Sequence, residues 1–335
     1  MKRGQAVSRA IRGTVLLLVG TAASAAFAHH GVAPHYDVDK PVKLEGTIAK
    51  FEFINPHSFV YISTVDAAGA EQVWSCELAS RSVLERNGLG VDTFAVGAPI
   101  TLEGVAARHN PTGCAFRVAY FADGSVLRAS TLFGPTLAPS TETPGDPKSI
   151  AGTWTMKRFA VSNYEGQLTE AGERARAAFD PVVDDPAIYC DPTSPVRFWV
   201  NVNEPFEIRI EGEAVVIDNR FMDSRRIVHL DETATPAEVA RSTMGYSTGH
   251  FEGAALVVST DRFSAAALEP RFGVMHTQDL ELGERLEVDE ASGELKITWV
   301  IDDPAYFKAP VTQEERYVRS AKNPEPYDCK PGYQQ

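Results

Sequence analysis

The 335-residue sequence predicts a mainly β protein built from two units. Much of the chain after residue 40 alternates apolar and polar residues with period two, as half-buried strands do. Turn residues break these runs at short spacing, as in antiparallel sheets. A stretch at 132–149 with four Pro among Gly, Ser and Thr separates two segments, each long enough for its own core.

The N-terminus is different in kind. Lys2, Arg3, Arg9 and Arg12 precede any acid, an apolar run spans Val15 to Val19, and small residues lead to Ala26-Phe27-Ala28. A basic start, a short apolar stretch and an A-x-A end read as a secretory signal peptide over 1–28. The apolar run falls short of the ~20 residues a membrane span needs. Cleavage is expected at Ala28/His29, with Ala23-Ser24-Ala25 a second candidate site.

The first unit, 29–131, holds five expected strands. Val42 to Ile48 alternates, and Ser58–Val65 and Gln72–Leu78 flank an Asp66–Gly69 turn. Ser80 to Asn87 reads as a helix capped by Ser80 and stopped by Gly88. Pro99–Ala106 and Ala115–Phe121 follow, with a short arm through Val126 and Leu127. Three strands, a helix and two strands is the order of an OB-like five-stranded barrel.

After the 132–149 linker, 150–335 reads as a second barrel. One helix is expected from an N-cap at Thr169 to Phe179. Strands are expected at Val196–Val202, Phe206–Glu211, Ala214–Asp218, Arg225–His229, Ala255–Ser259, Val274–Leu282, Arg285–Asp289 and Leu295–Ile301. About eight strands with short turns suit a closed antiparallel barrel. Gly152-Thr153-Trp154 on its first strand, with Arg316 and Arg319 near its last, resembles lipocalins, which implies a Trp plugging one end with an Arg stacked on it.

Charge narrows the partners. With 32 Lys+Arg against 45 Asp+Glu the chain carries −13, and loss of residues 1–28 would leave it more acidic still. Phosphate backbones and anionic lipid surfaces need the opposite sign. Cys76, Cys114, Cys190 and Cys329 form an even set with no CxxC, which in an exported chain reads as two disulfides. Of three connectivities, Cys76–Cys114 and Cys190–Cys329 keeps each bridge within a unit. Oligomeric state is not legible here.

Both halves resemble a group of exported bacterial proteins of unknown function. The residues carrying the first half are His29-His30-Gly31, Tyr36-Asp37, Asp39-Lys40-Pro41-Val42, Gly46 and Asn55-Pro56-His57. Those of the second are Gly152-Thr153-Trp154, Arg225-Arg226-Ile227, Gly245, His250 to Gly253, Leu256-Val257-Val258, His276 and Asp303-Pro304-Ala305-Tyr306. Phe251 departs from the usual Trp, and Ala254-Ala255 from an acidic residue and Thr. The resemblance implies address and architecture, not a reaction.

Histidine carries the candidate chemistry. If His29 becomes the N-terminus, its amine and imidazole form a chelate that His30 or His57 completes, a nitrogen set suited to copper. The competing reading is a solvated terminus and an Asn-Pro-His turn. In the second unit, His250 with Glu252 and His276 with Asp279 are candidates for anchoring a small, partly apolar ligand, or for acid–base catalysis. The alternative there is a set of paired polar residues at strand ends. Arg225-Arg226 reads either as a clamp for a carboxylate or, more simply, as charge guarding an exposed strand edge, and Asp180 to Asp191 lacks the spacing of a calcium loop. No Gly-x-Ser-x-Gly, P-loop or dinucleotide fingerprint is present. The expectation is therefore a periplasmic binding protein for a metal ion or small molecule; the alternatives are an enzyme built on the second barrel and a structural envelope module.

Overall fold

A computed structural model describes residues 35–66, 68–132, 148–156, 162–200, 204–230, 235–320 and 326–331. The signal-peptide segment, His29, His30 and most of the 132–149 linker lie outside the described residues.

The first unit is organised by β1 (Tyr36–Glu52), 17 residues long, which pairs antiparallel with both β2 (Phe59–Val65) and β4 (Pro99–Ala107). Gly46 makes this possible, because a Cβ there would collide with the Ser63 carbonyl of β2. A bulge between Ile48 and Lys50 then bends β1. β3 (Glu71–Glu77) joins β2, and β5 (Gly113–Phe121) joins β4. β3 and β5 also pair in parallel, with Cys76 opposite Cys114, and the first disulfide bridges these two residues. A sixth strand, β6 (Val126–Arg128), extends the sheet beside β5, where only a short arm was expected. The helix α1 (Arg81–Arg86) begins where foreseen, with Ser80 Oγ accepting from the Val83 amide at 3.3 Å. Leu44, Ile48, Val60, Ile62, Leu102 and Phe116 form the core, each contributing about 1.5–3 kcal/mol by burial.

The second unit is a closed barrel of nine strands rather than eight: β7 (Gly152–Met156), β8 (Phe206–Glu211), β9 (Ala214–Asn219), β10 (Ser224–His229), β11 (Tyr246–Glu252), β12 (Ala255–Asp261), β15 (Glu281–Val288), β16 (Leu295–Asp302) and β17 (Val311–Arg319). A short parallel pairing of Val228–His229 with Ser247–Thr248 closes it between β10 and β11. The expected single strand Val274–Leu282 is split. Val274–His276 (β14) pairs instead with Ala266–Glu269 (β13) as a separate hairpin. Trp154 is fully buried, its indole donates to the Ile150 carbonyl at 2.8 Å, and Arg319 stacks 4.3 Å above it. Arg316 takes no part in this plug; it pairs with Asp289, Glu294 and Glu314.

Between β7 and β8 lies a helical insertion. α2 (Glu170–Ala178) starts at the expected cap, Thr169 accepting from the Gly172 amide at 3.1 Å. α3 (Pro195–Val200) occupies what was expected to be a strand. All six of its residues are buried, Arg197 included, so no exposed face gives the run a period that would separate helix from strand. Ser194 decides for helix by accepting from the Arg197 amide at 3.2 Å.

The units meet around Asn55. This residue is fully buried, donates to the Tyr327 carbonyl at 2.6 Å and accepts from the Ser82 amide at 3.2 Å. Its carbonyl accepts from Lys330 N at 2.9 Å. The second disulfide, Cys190–Cys329, pins that C-terminal strap to the barrel unit. Glu204 lies 3.8 Å from Arg86 and 3.6 Å from Arg220, so one buried carboxylate faces an arginine from each unit.

Candidate functional site

The barrel interior is mostly aliphatic, with one polar band across it. Register places Val258 opposite Glu284, Glu284 opposite Trp299, and Trp299 opposite Gln313, on β12, β15, β16 and β17 in turn. Inward alternation on β10 adds Arg226, and β11 and β12 add the facing pair Ser247 and Thr260.

One side of this band is internally satisfied. Arg226 donates to Glu284 Oε1 at 2.9 Å and to Glu284 Oε2, to Ser247 Oγ at 2.9 Å and to Thr260 Oγ1 at 2.6 Å. Trp199 of α3 donates its indole N–H to Glu284 Oε1 at 2.6 Å. The Tyr317 hydroxyl donates to the Trp199 carbonyl at 2.5 Å, holding α3 inside the barrel. Of the two sequence readings of Arg225-Arg226, the exposed edge does not hold for Arg226, which instead grips the Glu284 carboxylate. Arg226 is 4% exposed, and only Arg225 faces outward, where Asp218 accepts from it at 2.6 and 3.0 Å. Strand alternation was the signal that separates the two.

The other side of the band is not satisfied. Trp299 is 1% exposed, and its Nε1 has no acceptor. Both amide atoms of Gln313 are buried without a hydrogen bond, as are the hydroxyls of Ser162 and Tyr164. Tyr164 lies beside Gln313 and Ser162 without reaching hydrogen-bond geometry, and burial pushes its phenol well above the ordinary value. Each such orphan costs about 1–3 kcal/mol. Next to them is a cavity of about 310 Å³, lined by Ser162, Asn163, Gln167, Val200, Trp299 and Val311 and by Thr312 to Glu315. The volume is at the lower end of small-molecule pockets, about 300–1,000 Å³.

The residues singled out from sequence do not converge there. His250 and Glu252 lie at the outward end of β11, 3.5 Å apart and more than half exposed. Glu252 is held by Arg285 at 2.7 Å, and Arg285, with His250, keeps its carboxyl below the usual range. Their counterpart His276 is 1% exposed, edge-on to Phe263, with Nδ1 2.9 Å from the Thr277 carbonyl. Its partner is not Asp279; Asp303 instead fixes the neighbouring Thr277, accepting from its amide at 2.6 Å. Burial holds the His276 pKa below the ordinary value, and its Nε2 is buried without a hydrogen-bond partner. An exposed pair and a buried imidazole form no common site.

His57 is also committed. Its Nδ1 lies 2.5 Å from Glu77 Oε1, while Tyr36 donates to the other Glu77 oxygen. Burial alone would lower the His57 pKa, yet Glu77, with Asp185 adding its field, holds it above the ordinary value. Burial would raise Glu77, yet His57 and Tyr36 keep it below. Among the described residues no group of three or more His, Cys, Asp or Glu is placed to hold a metal ion. Nor is any described helix long and apolar enough to cross a membrane.

Comparison with known proteins adds the following. A family described as "Family of unknown function (DUF6152)" matches residues 17–115, about the first unit. No relative is found among curated proteins. Among solved structures, a secretory abundant heat soluble protein from Ramazzottius varieornatus is similar at 13% identity and TM-score 0.25, covering 55% of this chain and all of its own. The wild-type fluorescent protein UnaG is similar at 12% identity and TM-score 0.24, covering 51% of this chain and 97% of its own.

Proposed function

We propose that this chain is an exported binding protein whose second barrel takes a small molecule at the Trp299–Gln313 cavity. The observation that carries this reading is a cavity of about 310 Å³ at the barrel, lined by Val200, Trp299, Val311 and Gln313 together with Glu314 and Glu315. Val200, Trp299 and Val311 supply the apolar part of the lining, in keeping with a partly apolar ligand.

Export is supported by two disulfides, which persist in oxidising compartments. For the first unit we read the ring β1-β2-β3-β5-β4, closed by the β3–β5 pairing, as OB-type with β6 appended. The unit limits stay as read from sequence, 29–131 and 150–335. A copper ion at His29, His30 and His57 would have to take His57 through Nε2, since Nδ1 meets Glu77. Acid–base catalysis by His250 and Glu252 would take place on an open surface, which does little to raise a carboxyl or exclude water.

The test is a thermal-shift screen of small neutral and charged molecules against the wild type and Trp299→Phe. A shift of the unfolding midpoint in the wild type that Trp299→Phe abolishes supports the reading. No shift across the screen, or equal shifts in both proteins, contradicts it.

A further inference from the structure

We infer that the Cys190–Cys329 disulfide is a redox-operated latch: an external dithiol that reduces it frees the C-terminal strap, 326–331, and loosens the docking of the two units. The strap lies between the units and is held by both. From the first unit, Asn55 Nδ2 donates to the Tyr327 carbonyl at 2.6 Å, and Arg81 donates to the carbonyls of Pro326 and Tyr327, both at 3.0 Å. From the second, Asp223 accepts from the amides of Tyr327 at 2.7 Å and Asp328 at 3.0 Å, and Arg220 donates to the Pro326 carbonyl at 2.9 Å. Tyr327 is buried against Phe221 and Met222 of the barrel unit.

Reach separates the two bridges. Cys76 and Cys114 are fully buried on paired strands, closed to a dithiol while the fold stands. Cys190 and Cys329 are half-buried, one at the end of the short turn Pro186–Tyr189 and the other on the strap. Exchange requires the attacking thiolate to reach a bridge sulfur, so it falls on Cys190–Cys329. The turn that carries Cys190 starts at Asp185, which accepts from the Ala187 amide at 2.9 Å and adds its field to that of Glu77 at His57 of the first unit.

Backbone strain collects at the same place. Of six described non-glycine residues with positive φ, five are on the bridge, beside it or on the turn that receives the strap: Cys190 (59°), Thr193 (78°), Met222 (57°), Asp223 (48°) and Asp328 (50°). Asp tolerates this left-handed region, Cys and Met visit it rarely, and β-branched Thr is an outlier there. Such a backbone persists only where its surroundings impose it. The bridge and the seated Tyr327 do so here, and once the bridge is cut, relaxation of these residues favours the departure of Tyr327. Glu204 still meets Ser82 and Arg86 of the first unit, so the units loosen rather than part.

The chemistry is thiol–disulfide exchange. One thiolate of the dithiol attacks a bridge sulfur, the S–S bond breaks, and the other cysteine leaves as thiolate from a mixed disulfide. The second thiol of the reagent then displaces the protein sulfur. Two electrons and two protons pass to Cys190 and Cys329, and the dithiol leaves as its own disulfide.

The experiment treats the whole chain with increasing dithiothreitol in the absence of denaturant. Free thiols are blocked with iodoacetamide and mapped by peptide mass spectrometry, and amide hydrogen exchange is followed in parallel by NMR. The expected result is that Cys190 and Cys329 become alkylated at concentrations that leave Cys76–Cys114 intact. The amides of Tyr327, Asp328 and Lys330 should then exchange about tenfold or more faster, while the β16–β17 ladder keeps its protection. The double variant Cys190→Ser, Cys329→Ser should show the same pattern without reductant, with circular dichroism confirming that the barrel is kept. Reduction of Cys190–Cys329 with unchanged exchange along the strap overturns the latch, because the remaining contacts then hold the strap alone. Reduction of both bridges together, or of neither, short of unfolding overturns it as well.

Discussion

The two sides of the barrel's polar band have the same kind of residue in the same kind of place, and opposite outcomes. On the Arg226–Glu284 side every polar head meets another, and Trp199 of α3 completes the set. On the Trp299–Gln313 side the heads are buried without a well-formed hydrogen bond, next to a cavity. Strand register explains the pairing across the band, but not this difference, because Glu284 and Trp299 are direct neighbours on β15 and β16. The difference is what fills the space. α3 sets Trp199 against Glu284 on one side, while its last residue, Val200, lines the cavity on the other. Polar groups closed upon themselves hold a fold together, whereas the same groups left unpaired cost it stability.

Breaking the closed side should have the largest effect. Arg226→Met strands the Glu284 carboxylate at essentially no exposure and should cost about 3–5 kcal/mol in urea unfolding. The double variant Arg226→Met, Glu284→Leu should recover most of that loss, because no unpaired charge remains. Recovery would show that the penalty belongs to the orphaned charge; no recovery would assign it to packing around Trp199.

The unit interface is a second closed polar set and should behave likewise on a smaller scale. Asn55→Ala removes one of the two side-chain donors to the Tyr327 carbonyl, Arg81 being the other, and strips the buried Ser82 amide of its acceptor, so it should cost about 1–3 kcal/mol in the same measurement. The open side of the barrel should respond with the opposite sign. Without ligand, Gln313→Leu removes two unmet polar atoms and should leave the protein unchanged or more stable by about 1 kcal/mol. A loss comparable to that of Asn55→Ala would mean that Gln313 is satisfied in solution and the contrast is false.

The smallest effect is expected from pH. The folded-state His57 pKa is raised, so its contribution is present below the ordinary histidine value and is lost as pH rises through the raised one. The lowered Glu77 pKa sets the acid limit, since that contribution is lost as pH falls through its folded value. The stability gap between wild type and His57→Gln should therefore be widest between these limits, about 1 kcal/mol, and narrow on the alkaline side. A gap that grows with alkaline pH would contradict the pairing. Across that range Gln313→Leu should show no pH dependence of its own.

Much of the fold was legible because it is encoded locally. Thr169 and Ser80 mark helix starts by a side chain three residues from the amide it caps, and period two marks most strands to within a few residues. The disulfide partners followed from the division into units. What was missed is what tertiary position decides. A run such as Pro195–Val200, buried on all sides, has no period to read. Arg226 looked like surface charge until its neighbours Arg225 and Ile227 were placed on the outer face. The site itself escaped because Trp299 and Gln313, 14 positions apart, are joined only by the register of β16 and β17. Histidine drew attention by its chemistry, but His250 is at the surface, and His276 and His57 are engaged.

The most direct measurement is the ¹⁵N–¹H spectrum of the tryptophan indoles during titration with a compound that shifts the unfolding midpoint in the thermal screen. Trp74, Trp154, Trp199 and Trp299 give four indole signals, which Trp→Phe variants assign. If the open side of the band is a ligand site, the Trp299 indole signal moves and saturates while Trp154 and Trp199, whose N–H groups already have acceptors, stay in place. A Trp299 signal that does not move with this or any other probe, or that moves no more than those of Trp154 and Trp199, would contradict it.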